Sequence, residues 1–229
     1  MNSLIGDFLE VFYPKICVTC ENNLVSGEEI MCTICKQDLP LTHYKSYTDN
    51  KITQTFYGKI PVEKAMALLI FRKESKTKDL IHELKYKNNQ QIGVFLGTWF
   101  GSILKENSEF STVDFIIPVP LHTKKLKQRG YNQLTKFGEK LSEILNIPFE
   151  NHQLIKTQAT KTQTFKTRFE RFDDSKTKFK LQNLTFFENK HILLIDDVIT
   201  TGATIESCVN ELLKTKNIKI SILAMAFTE

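Results

Sequence analysis

Leu193-Leu194-Ile195-Asp196-Asp197-Val198-Ile199-Thr200-Thr201-Gly202-Ala203-Thr204 is an apolar run that ends in two carboxylates and then in a turn rich in hydroxyls and glycine. It reads as strand, loop and helix. Residues 191–195 are short and apolar, the pattern of a strand buried on both faces of a parallel sheet, which puts Asp196 and Asp197 at its carboxyl end. Beyond the turn, Ile205, Cys208, Val209, Leu212 and Leu213 recur at helical spacing. Residues 200–204 therefore open an amphipathic helix, with Thr200, Thr201 and Thr204 as candidate caps. Such a loop aims backbone N–H groups and the positive end of a helix dipole at one point, where a phosphate fits. Carboxylates beside it would repel the phosphate, so they are better placed to accept hydrogen bonds from sugar hydroxyls. The chemistry points to a ribose 5-phosphate.

The string resembles the phosphoribosyl pyrophosphate (PRPP) motif of type I phosphoribosyltransferases: an apolar strand, two acids, two apolar residues, then Thr-Thr-Gly-Ala-Thr. Every position matches, from Asp196 and Asp197 through Thr200, Thr201, Gly202, Ala203 and Thr204. A capped strand-to-helix turn with a surface acid pair is the blander alternative.

The chain has 229 residues, enough for one α/β domain and a smaller module. Its net charge of +5 does not by itself establish a nucleic-acid partner. No apolar run approaches the roughly 20 residues that span a bilayer, and the start lacks a basic segment followed by an apolar core, so the expected location is the cytoplasm. Residues 3–12 suggest a short amphipathic helix.

Four of the five cysteines form two Cys-x-x-Cys pairs, Cys17 with Cys20 and Cys32 with Cys35. Each tight turn brings two thiolates to one point, and two turns complete a tetrahedral site suited to zinc. Four protein ligands leave no open position, so the metal would be structural, and a segment this small needs its binding energy to fold. A disulfide pair or free thiols are the alternatives. Residues 40–57 read as a linker or irregular hairpin. The expected division is therefore 1–57, an amino-terminal helix, zinc module and linker, and 58–229, the α/β domain.

Within that domain, residues 65–71 and 218–227 read as strands. Residues 78–86, 92–104 and a stretch holding Leu134, Phe137, Leu141, Ile144 and Leu145 read as helices. Phe95, Trp99 and Phe100 have the spacing of core residues rather than of a base-stacking platform. Residues 113–121 form a buried-strand pattern that Pro118 and Pro120 should end. A basic loop follows, carrying Lys124, Lys125, Lys127 and Arg129. Ligands gather at the carboxyl ends of strands in open parallel sheets, so this loop and residues 196–204 can share a crevice. On charge alone, a solvated lysine-rich loop is an equal alternative.

Pro118-Val119-Pro120-Leu121-His122, then a basic segment, then Arg129-Gly130-Tyr131-Asn132-Gln133 resembles the signature of the ComF family, competence-associated proteins with an amino-terminal zinc motif and a type I phosphoribosyltransferase-like domain. Lys125 stands where that family usually has Arg, and Tyr131 where it often has Phe. The resemblance implies a type I phosphoribosyltransferase-like parallel sheet flanked by helices, preceded by the four-cysteine module. It implies a pyrophosphate loop formed by Lys124, Lys125, Arg129 and Gly130, and a lid at 156–178, with Gln163, Arg171 and the adjoining Phe179 at matching spacing and Asp174 in place of an expected Asn. The implied chemistry is transfer of ribose 5-phosphate from PRPP, with Mg²⁺, to a nitrogenous acceptor that the sequence does not name. Asp196 and Asp197 would act at the sugar. A non-catalytic PRPP- or nucleotide-binding regulator, and a competence factor that handles single-stranded DNA, are the alternatives.

Overall fold

The computed structural model describes residues 14–157 and 179–229. The expected helix at 3–12 and the lid residues Gln163, Arg171 and Asp174 lie outside the described residues.

Four strands, β1 (Ala65–Ile70), β2 (Phe115–Pro118), β5 (His191–Ile199) and β6 (Lys219–Phe227), form an all-parallel sheet in the order β1-β6-β5-β2. The central strands β5 and β6 read as nearly continuous apolar runs because both faces are covered, and Leu193, Leu194, Ile222 and Leu223 are wholly buried. A two-stranded antiparallel ribbon, β3 (Leu154–Lys156) and β4 (Phe179–Leu181), stands apart from the sheet; Phe179 opens β4, buried, with the Lys156 ammonium 5.0 Å above its ring centre.

Among the described residues the helices are α1 (Thr33–Gln37), α2 (Lys51–Phe56), α3 (Lys76–Tyr86), α4 (Gln91–Asn107), α5 (Thr123–Arg129), α6 (Thr135–Leu145) and α7 (Ala203–Leu212). Helix α4 buries Ile92, Leu96, Phe100 and Leu104, one residue per turn. Its partner α6 approaches so closely that a Cβ on Gly97 would sit 2.9 Å from the Phe137 carbonyl oxygen. Phe95 and Trp99 differ from expectation. They are only partly buried, at the rim, and the Lys36 ammonium from α1 lies 5.6 and 5.1 Å from their ring centres. Their spacing is helical, but the apolar stripe of α4 is narrower than the run of hydrophobic residues.

Residues 40–57 are not a linker. Leu41 bridges Leu69 antiparallel, the Ile70 N–H donates to the Pro40 carbonyl at 2.7 Å, and the Ala65 N–H to that of Tyr47 at 2.8 Å. The outer edge of β1 is thereby covered, which removes a template for aggregation. Asn50 and Thr53 then start α2 with a reciprocal capping box, and the Asn50 amide donates to the Ala65 carbonyl at 2.8 Å. Polar composition suggested a solvated connector. Those polar groups instead satisfy a strand edge.

Candidate functional site

Strand β5 runs further than its apolar pattern suggests. Asp196 pairs with Ala224, Val198 with Ala226 and Ile199 with Phe227, so both acids lie within the strand rather than after it. The ladder to β2 ends at Pro118 opposite Ile195, with one more bond from the Val119 N–H to the Ile195 carbonyl at 2.9 Å. Proline at 118 and 120 cannot extend it. The acids therefore occupy the length of β5 that outruns its neighbour, at the carboxyl end of the sheet where ligands collect.

Strand alternation sends the two side chains to opposite faces. Asp196 is buried, and one carboxylate oxygen accepts its neighbour's backbone N–H at 2.8 Å. Burial first, and then the charge of Asp197, push its carboxyl up to about 8. Cys208 of α7 lies near it, and its thiol is raised by burial and by Asp196. Asp197 is held from two sides: one oxygen meets the Lys85 ammonium at 2.7 Å, and the other accepts from the Gln133 amide. The Gln133 amide oxygen in turn accepts from the Arg129 guanidinium. Arg129, Gln133, Asp197 and Lys85 thus form one continuous chain of polar contacts.

That chain borders a cleft of about 270 Å³ lined by Lys85, Tyr86, Asn88, Lys125, Gln128, Arg129 and Tyr131. The expected basic loop is the helix α5. His122 caps its start by accepting the Lys124 N–H at 3.2 Å, and Gly130 ends it with a φ of 81°. Lys, Leu, Gln and Arg are good helix formers, which is why the segment winds up. Winding sorts the cations. Lys125, Gln128 and Arg129 share the face towards the cleft, whereas Lys124 and Lys127 are not among its lining residues.

The residues after α5 each have a task. The Tyr131 hydroxyl donates to the Leu84 carbonyl at the end of α3. Asn132 donates to the Val119 carbonyl at 3.3 Å and accepts the Leu134 N–H at 3.1 Å, and Gln133 reaches Asp197. Lys85, Tyr86 and Asn88 were missed from sequence. Their only signal is a cluster of lysine and asparagine at a helix end, which looks like solvated surface.

The turn after β5 exposes Thr200, Thr201, Ala203 and Thr204 and buries Gly202. None of the threonines holds the cap position of α7. Gly202 holds the cap position at φ 78°, and no side-chain hydrogen bond occupies it. The Thr201 hydroxyl accepts the Ala203 N–H at a long 3.5 Å, and the N–H groups that follow in the first turn of α7 are open to an anion. A side chain at 202 is excluded twice, by the left-handed backbone and by Phe56 of α2, whose ring carbon would lie 2.6 Å from the added Cβ. Among the histidines, His191 is buried between the Thr112 and Ser221 hydroxyls at the opposite end of β5, its imidazole lowered by burial.

The four early cysteines converge. The sulfur atoms of Cys17, Cys20, Cys32 and Cys35 lie within 4.8 Å of one another, with Cys20 and Cys32 at 3.8 Å, and all are free thiols. A tetrahedron with metal–sulfur bonds of about 2.3 Å has edges of about 3.8 Å, so the donor set has the form of a four-thiolate metal site. Burial opposes ionisation of Cys17, but hydrogen bonds from Thr19 and from the Cys32 N–H outweigh it and bring the thiol down to about 6. The module is anchored to the rest of the chain by Lys76 of α3, 2.7 Å from Asp38, and by Lys36 of α1, whose ammonium lies over Trp99 of α4.

Residues 135–228, from α6 through β6, match the Phosphoribosyl transferase domain family. Competence protein F of Haemophilus influenzae is 26% identical over 209 residues, covering 85% of this chain and 89% of that protein. DNA utilization protein YhgH of Escherichia coli K12 is 24% identical over 216 residues, 88% of this chain and 92% of that protein. Competence protein ComFC of Bacillus subtilis is 25% identical over 196 residues, 83% and 75%. The family resemblance drawn from the motifs is thus carried by relatives along most of the chain. The fold is a type I phosphoribosyltransferase-like parallel sheet with a four-cysteine module before it. Among the described residues, no helix is long and apolar enough to cross a membrane.

Proposed function

We propose that this chain, a relative of the ComF proteins with a phosphoribosyl transferase domain, binds PRPP and transfers its ribose 5-phosphate to a nitrogen nucleophile. The observation that supports this best is that Asp197 on β5 is paired with Lys85, a lining residue of the cation-rich cleft, and is followed along the chain by a helix N-terminus whose cap residue is a glycine. In this reading, the α7 N-terminus with Thr200, Thr201, Gly202, Ala203 and Thr204 takes the 5-phosphate. Asp197 accepts a ribose hydroxyl, whereas Asp196, expected at the sugar as well, is buried on the other face of β5 and holds the Asp197 backbone N–H; Lys125 and Arg129 take the pyrophosphate, with Lys124 and Gly130 completing that segment.

The transition state of such a transfer is oxocarbenium-like, so the protein's part is to position the two ends of the donor and stabilise the leaving charge. Asp197 is already oriented by Gln133, which lowers the cost of ordering it around a sugar. Mg²⁺ would arrive mostly on substrate oxygens, because Asp196 is buried and Asp197 is engaged by Lys85, which suits an ion that keeps few protein ligands. Bound there, it would offset pyrophosphate charge. Residues 58–229 carry this chemistry. Residues 1–57 carry a structural zinc held by Cys17, Cys20, Cys32 and Cys35, with Phe56 backing the phosphate loop.

The names of the relatives, competence protein and DNA utilization protein, support a role connected with competence and DNA utilization, for which we take a nucleobase as the class of acceptor and the cytoplasm as the location. Calorimetric titration with PRPP, with and without Mg²⁺, tests the reading. Magnesium-assisted binding that Asp196→Ala with Asp197→Ala abolishes is the expected result. Absence of PRPP binding would refute it and leave single-stranded DNA as the ligand to test.

A further inference from the structure

Lys85 belongs to none of the sequence motifs, yet it occupies the junction of the site. It sits in the last turn of α3, whose end is fixed by the Tyr131 hydroxyl on the Leu84 carbonyl. Its side chain is 22% exposed and its ammonium lies 2.7 Å from an Asp197 oxygen. The same lysine lines the cleft with Lys125 and Arg129, and among the described residues no carboxylate lines that cleft with them. The Arg129 guanidinium stacks 5.6 Å from the centre of the Tyr86 ring and is bound to Gln133, so its position is constrained. Lys85 alone among these cations both faces the cleft and neutralises the acid that would receive a sugar.

A partly buried ion pair gains strength from low dielectric, so a competitor must displace a real interaction. A ribose hydroxyl on Asp197 competes with Lys85. A pyrophosphate in the cleft competes with Asp197 for Lys85. Whichever ligand arrives first weakens the ion pair and so lowers the cost for the second, and such coupling is reciprocal. We propose that Lys85 is a substrate-binding residue that couples the two halves of the site, its ammonium passing from Asp197 to the pyrophosphate as a ribose hydroxyl takes its place on the carboxylate. This rests on the PRPP reading above. It makes pyrophosphate and ribose 5-phosphate bind cooperatively, although both are anions.

The test uses the full chain and the two half-ligands, inorganic pyrophosphate and ribose 5-phosphate, titrated singly and together by calorimetry. In the wild type, saturating pyrophosphate should tighten ribose 5-phosphate several-fold. Lys85→Met keeps the length of the side chain and removes the charge. It should weaken pyrophosphate at least tenfold, leave ribose 5-phosphate unchanged or tighter because Asp197 has lost its competitor, and bring the coupling ratio to one or below. Lys85→Arg should restore pyrophosphate binding, and an unchanged thermal transition would verify the fold of each variant. Equal weakening of both half-ligands in Lys85→Met would make Lys85 merely structural and overturn the proposal. Unchanged affinities would overturn it too. If the wild type binds PRPP but its half-ligands show no coupling, the inference falls and the functional reading stands; if it binds neither PRPP nor its halves, the functional reading itself fails.

Discussion

The four-cysteine module and the β5–α7 crossing solve the same problem, holding a polar cluster in place, by opposite means. Around residues 14–39 few side chains are buried, chiefly Cys17, Met31, Cys35 and Leu39, so the thiols themselves are the module's core. A segment with so little apolar burial depends on crosslinks or metal. At β5 the acids ride on a strand whose preceding residues are wholly buried between two neighbours, so the sheet holds the cluster whether or not anything is bound. The first cluster is a condition of its fold, whereas the second is a passenger on one.

The strongest way to break this comparison is to remove ligands from the module. Cys17→Ser with Cys20→Ser should eliminate bound zinc and unfold residues 14–39, while amide protection along β5 and β6 persists; metal analysis and hydrogen exchange check both halves. A full zinc complement in that variant would refute the four-ligand site. In the sheet, Leu194→Ala should cost about 3 kcal/mol in chemical denaturation, because the side chain is wholly buried and the cavity cannot collapse against paired strands.

Gly202→Ala probes where the two regions meet, since Phe56 reaches the turn before α7 from the amino-terminal part. Strain at φ 78° and the clash with Phe56 should together lower stability by roughly 1–3 kcal/mol, and PRPP affinity should fall more than tenfold. Unchanged PRPP affinity would separate the loop from the ligand.

Asp196 sharpens the contrast through pH. The unfolded chain releases this proton near pH ~4, but the folded chain keeps it up to about 8 because the carboxyl is buried beside Asp197. The folded state binds more protons in that window, so this group's contribution to stability falls as pH rises from about 4 to about 8, by at most about 1.4 kcal/mol per unit. Asp196→Asn should flatten that dependence in melts between pH 5 and 8. A slope identical to the wild type would remove Asp196 as its source. The smallest effect is expected from Lys36→Ala, about 0.5–1 kcal/mol, as the ammonium over Phe95 and Trp99 is lost.

Much of the sheet was legible because its signals are local. Residues 191–195 and 218–227 declare strands by composition, α4 and α6 by period, and Pro118 the end of β2. The extension of β5 through Asp196 and Asp197 was not legible, because acids disfavour strands and only pairing with β6 overrides them. The helical form of the basic segment leaves no periodic signal, because α5 buries no side chain and has no apolar stripe.

By itself, the sequence determined the parallel sheet, the strand-to-helix turn after the acids, the paired cysteines and the identity of the two acids, since each is encoded in neighbouring residues whose spacing fixes their geometry. Tertiary structure alone decided that Asp196 and Asp197 face apart, that Phe56 underlies Gly202, and that Lys85 meets Asp197 across a separation of 112 residues. Contacts of that kind arise from how elements pack, and no local pattern records which distant side chain will fill the space beside a buried charge.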